Sequence, residues 1–213
     1  MKKIGLASAL SLAGLLVAPA HAESTFTSPA ATNSTATARL DFTIVIPQVL
    51  FLRVGTSSGN TATDATINSI SFTVPAANIG DSTVIAGVGG DLTAGAVTVR
   101  VYGNGGNINL NSTTTGPLTN ATGQSIPWSQ ISVASAALAS TTAGFTNAAI
   151  THPAFNLGGT GGTGTVTNLV ATNKLVRVEG KWTYTYLNST LPAAGTYGTS
   201  ANGGRVTYTA TQM

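Results

Sequence analysis

From residue 38 to residue 46 the chain alternates without a break. Ala38, Leu40, Phe42, Ile44 and Ile46 fall on one side, and Arg39, Asp41, Thr43 and Val45 on the other. A period of two over this length is the pattern of a β-strand with one face to bury, and it excludes an amphipathic helix. Pro47 interrupts the pattern, and it resumes through Val49, Leu50, Phe51, Leu52, Arg53 and Val54. Shorter runs follow: 70–74, ending at Pro75; 96–102, ending at Gly103-Asn104-Gly105-Gly106; 126–133; 169–178; 180–186; and 205–210. Residues 107–110 read as the return limb of a hairpin across the Gly103–Gly106 turn. The Ala-rich stretch 135–143 reads as one or two helical turns, without a cap. Residues 55–63 and 156–165 read as Gly/Thr/Ser loops. Short strands punctuated by Gly and Pro, with almost no helical period, predict an all-β antiparallel sandwich or barrel.

The amino terminus carries different information. Lys2 and Lys3 precede an apolar run, Pro19 breaks it, and Ala20-His21-Ala22 supplies a small-x-small cleavage pattern. Residues 1–22 therefore read as a secretory signal peptide, too short and too rich in small residues to make a good membrane span. Residues 23–37 are small and polar and read as a flexible extension. The remainder, 38–213, suits a single domain with 38–46 as its first strand. The expected location is beyond the inner membrane: the periplasm, then the cell surface or the medium.

Charge narrows the function. The chain holds 9 Lys and Arg against 6 Asp and Glu. Lys2 and Lys3 leave with the leader, so the mature chain is close to neutral. Its basic residues are scattered, so no nucleic-acid partner is expected. There is no cysteine, and only 7% of residues are charged. Thr, Ser, Asn, Ala and Gly take the place of charge, which gives a neutral surface of hydroxyls and amides.

Catalytic patterns do not hold together. Gly55-Thr56-Ser57-Ser58-Gly59 fits G-x-S-x-G, and His152 and several aspartates lie downstream in hydrolase order. A nucleophile elbow needs a helix directly after its serine, and Asn60-Thr61-Ala62-Thr63 is loop composition. Gly159-Thr160-Gly161-Gly162-Thr163-Gly164 fits G-x-G-x-x-G but opens no helix. A single mature histidine cannot build a zinc site, and Asp64, Asp81 and Asp91 lack calcium-loop spacing. No enzyme activity, cofactor or metal is expected. Trp182, Tyr184 and Tyr186 share one face of a strand. Trp182 and Trp128 are the candidates for stacking on a sugar, with core packing as the competing assignment.

The leader, the loose extension, the 38–46 strand and the Thr-rich body resemble a bacterial fimbrial or pilin-like subunit of the chaperone–usher type. So does the ending Pro192-Ala193-Ala194-Gly195-Thr196-Tyr197-Gly198, followed by Gly204-Arg205-Val206-Thr207-Tyr208-Thr209-Ala210. The resemblance covers the two ends of the chain. Two features depart from it: the absent disulfide pair, and an end in Gln212-Met213 without a penultimate aromatic. The resemblance implies an Ig-like (pilin-like) sandwich short of one strand, completed by β-strand addition. On that reading Leu40, Phe42, Ile44 and Ile46 are the inserted side chains, and Val206, Tyr208 and Ala210 line the receiving edge. The implied partners are like subunits, a periplasmic chaperone, an outer-membrane usher and a surface glycan. A self-complete sandwich using 38–46 as its own first strand, a secreted carbohydrate-binding module and a small outer-membrane barrel are the alternatives.

Overall fold

The computed structural model describes residues 23–28, 34–59 and 61–213. The leader assigned to 1–22 lies outside these residues. The chain divides into two units, 1–46 and 47–213.

In the second unit six strands dominate. They are β1 (Leu50–Val54), β2 (Ala96–Gly103), β3 (Ile108–Thr114), β4 (Ile131–Ala136), β5 (Val176–Tyr186) and β6 (Val206–Gln212). One sheet runs β1-β2-β5, with β4 on the far edge of β5. The other pairs β3 with β6 on one edge, and with the short strands Gly162–Thr163 and Thr167–Leu169 on the other. All ladders are antiparallel except the two-residue bridge of Thr146–Asn147 to β5. None of these sheets closes into a barrel.

The two sheets share one core. Val97, Val99 and Val101 of β2 meet Ile108 and Leu110 of β3, with Trp182, Tyr184 and Tyr186 of β5 in the same cluster. The pattern follows from the pleat. Val97 stands opposite Trp182, Val99 opposite Gly180 and Val101 opposite Val178, so one row from each strand enters the core together. Gly180 sits in that row for a steric reason: a Cβ there would collide with the carbonyl of Ala148, which crosses directly over it.

The opposite face of β2 is buried too. Arg100 and Glu179 face each other across the ladder, 4% and 0% exposed. They form a salt bridge of 2.7 Å, closed over by Thr142 and by the Phe145 ring, which lies 4.6 Å from the guanidinium. Burial opposes ionisation of Glu179. The Thr142 N–H and the Arg100 guanidinium outweigh it and hold the carboxyl below its usual range.

Several expectations need correction. No hairpin forms across Gly103–Gly106; the chain leaves one sheet at β2 and enters the other at β3. Residues 135–143 form no helix; β4 runs to Ala136 and irregular chain follows. The strand expected over 126–133 is broken by Pro127 and a 3₁₀ turn at Trp128–Gln130. Of 70–74 only Ile70–Ser71 pairs, although Ile70, Phe72 and Val74 all pack on the core. The 156–165 loop contributes a strand at Gly162–Thr163. The strand expected over 38–46 does not form: those residues join no ladder.

Candidate functional site

In the first unit, residues 38–46 carry no assigned secondary structure and are exposed along their whole length. Leu40 is 63% exposed, Phe42 84%, Ile44 84% and Ile46 76%. Four large apolar side chains at alternate positions, all in water, each forgo about 2 kcal/mol of burial. Scattered apolar side chains are ordinary on a surface; an uncovered period-two row is not.

In the second unit, β6 shows the reverse deficiency. It is an edge strand, with β3 on one side and no ladder on the other among the described residues. Val206, Tyr208 and Ala210 face the core yet are only half-buried. Their direct partners on β3 are Thr114, Ser112 and Leu110, which are fully buried. The strands share one sheet and one core, and differ in having neighbours on two edges or one. An open edge of this kind presents unpaired N–H and C=O groups, which is the requirement for strand addition. Near its end β6 approaches β1, where the Gln48 and Gln212 side-chain amides meet at 2.9 Å and Leu50 is 41% exposed.

Beneath β6 lies an aromatic cluster. The Tyr208 hydroxyl meets the His152 ring at Nε2, 2.7 Å away, and the Tyr184 hydroxyl at 2.9 Å. The His152 ring stands edge-on to Phe155, Trp182, Tyr184 and Tyr208. Burial lowers its pKa from 6.5 to about 4, so the ring is neutral at physiological pH. Burial raises the pKa of both tyrosines. In the sequence Ser57 and His152 follow hydrolase order. Ser57 instead bonds the carbonyls of Gly59 and Ala62 within its own loop.

Both tryptophans lie in the core rather than on an exposed face. Trp182 is 1% and Trp128 7% exposed. Each indole N–H is satisfied inside the protein, Trp182 by the Ile150 carbonyl and Trp128 by the Gly116 carbonyl, both at 2.7 Å. Trp128 packs on Phe155, with centroids 4.7 Å apart. A shallow depression of about 340 Å³ lies beside Trp128, walled by Ile131 and Val133 of β4 and by His152, Phe155 and Leu157.

The acidic residues stabilise turns and neighbouring backbone. Asp91 accepts from the Thr98 N–H at 2.8 Å and pairs with Arg53 at 3.2 Å. Asp81 accepts from the Thr83 N–H, and Asp64 from the Thr66 N–H, both at 2.8 Å. Among the described residues no three His, Cys, Asp or Glu cluster for a metal.

Comparison of the chain with protein-family models, with curated proteins and with solved structures found no match in any of the three.

Proposed function

We propose that this protein is a non-catalytic, exported surface subunit that assembles into fimbria-like polymers by β-strand addition. One observation carries the reading. β6 has an open edge and a half-covered core row, while residues 38–46 of the same chain hold an uncovered row of the same period. Each supplies what the other lacks: backbone partners and an apolar face.

The strand order supports the same reading. β1-β2-β5-β4 facing β3-β6 corresponds to A-B-E-D facing C-F of an Ig-like sandwich. In that plan a further strand lies beside F, which is the open edge of β6. The donor is 38–46 of a second copy. A periplasmic chaperone occupying the same edge before assembly, and an outer-membrane usher at the point of assembly, fit an exported chain with such an edge. A surface glycan as adhesive target is no part of this reading, because both tryptophans are in the core.

The test is an unheated SDS gel of sheared cell-surface material, immunoblotted for this protein. A ladder that collapses to one band on boiling, and that deletion of residues 38–46 abolishes, is the expected result. A single monomer band before and after boiling overturns the reading.

A further inference from the structure

The inward row of β6 is uneven. It reads Val206, Tyr208, Ala210, Gln212: one medium, one very large, one small and one polar side chain. The row on the donor is Leu40, Phe42, Ile44, Ile46, in which Phe42 is the largest. Tight packing sets large residues beside small ones, and one added strand has few ways to do so here.

Odd shifts are excluded first, because they turn the donor's apolar row outward. Among the even shifts, one antiparallel register sets Phe42 beside Ala210, Ile44 beside Tyr208, Ile46 beside Val206 and Leu40 beside Gln212. All four apolar donors then lie on β6, and the aromatic ring fills the one small position. The exposed rows match as well: Thr43 meets Thr209, a favourable hydroxyl pair, Asp41 meets Thr211 and Val45 meets Thr207. A slip of two residues either way puts Phe42 against Tyr208 or Gln212 and carries one donor beyond β6. A parallel strand that keeps Phe42 at Ala210 sets Ile44 against Gln212 and leaves Ile46 past the end of β6. The half-exposed Leu50, near the Gln48–Gln212 bond, lies at the same end as Ala210, where a phenyl ring has apolar surface to cover.

Resting on the strand-addition reading, we infer that residues 40–46 of a second copy run antiparallel to β6 in this single register. The Phe42–Ala210 pair is its size-matching determinant.

The natural chain has no cysteine, so disulfide trapping can read the register directly. Thr43 and Thr209 are both exposed. The doubly substituted full chain, T43C with T209C, is expected to give an intermolecular ladder that survives boiling and collapses under reductant. T43C with T207C and T43C with T211C are expected to stay monomeric after boiling. Trapping through either control pair, or through none while the heat-sensitive ladder persists, overturns the register and leaves strand addition standing. Loss of dependence on residues 38–46 overturns the underlying reading instead.

Size exchange gives a second, independent reading. A210F is expected to reduce the heat-sensitive polymer about tenfold or more, and F42A with A210F to restore most of it. A near-ultraviolet circular dichroism spectrum unchanged in A210F separates a filled hole from a misfolded subunit. Polymer unaffected by A210F in a folded subunit contradicts the inference, as does failure of the double variant to recover.

Discussion

β2 and β6 make an instructive pair. Both are alternating strands of similar length, both are read from sequence as strands, and both send every second side chain into one core. β2 has β1 on one edge and β5 on the other, and Val97, Val99 and Val101 are almost wholly buried. β6 has only β3, and its row is half-covered. Pleat and periodicity decide which side chains point inward. The number of neighbouring strands decides how well they are covered. A strand with one neighbour leaves a row of backbone groups unpaired, which is what the proposed strand addition requires.

This contrast can be tested by substitution. The largest effects belong to the two-edged region. Trp182→Ala should lower the unfolding free energy by about 3–5 kcal/mol, measured by urea denaturation, since it opens a cavity under β2 and breaks the indole bond to Ile150. Glu179→Ala leaves Arg100 buried without its carboxylate, and about 3–5 kcal/mol is expected in the same measurement. If the Glu179 variant loses less than about 1 kcal/mol, water reaches this face and β2 is less enclosed than described.

Next comes acid. His152 is held neutral in the folded state, with its pKa lowered to about 4. The unfolded chain takes up a proton near pH 6.5, and the folded chain only near 4. The contribution is therefore fully present above pH 6.5 and is lost as pH falls towards 4, amounting to about 3 kcal/mol over that window. His152→Gln should remove this component from a plot of unfolding free energy against pH. A plot of unchanged slope would show that the ring is solvated. The smallest effect belongs to the one-edged strand. Val206→Ala should cost the monomer only about 1 kcal/mol, because its side chain is only partly buried and loses two methyl groups. A loss as large as that of Trp182→Ala would erase the contrast.

Much of this was legible before the structure. Alternation alone located β2, the aromatic half of β5, and β6, because in each a uniform row faces one core. The Gly103–Gly106 segment misled because the same glycines serve a hairpin and a crossing between sheets, and only long-range packing chooses. Pro127 was visible inside the 126–133 run, but the apolar residues around it outweighed it. The Arg100–Glu179 pair joins positions 79 residues apart, and neither side chain carries a local sign of its partner. Residues 38–46 are the most informative case: they alternate in sequence and join no ladder in the single chain. Their period records that a face needs covering and is silent about which chain covers it. That β6 pairs on one edge only is visible in the ladder pattern and has no local sign in the sequence.

In the proposed polymer the free edge of β6 receives a strand. Hydrogen exchange of the monomer against the assembled polymer tests it most directly. The β6 amides that point away from β3 should exchange freely in the monomer and become protected in the polymer, with the outer edge of β4 unchanged. Polymers in which β6 stays unprotected while the β4 edge slows would place the added strand on the wrong side of the molecule, and the account would fail.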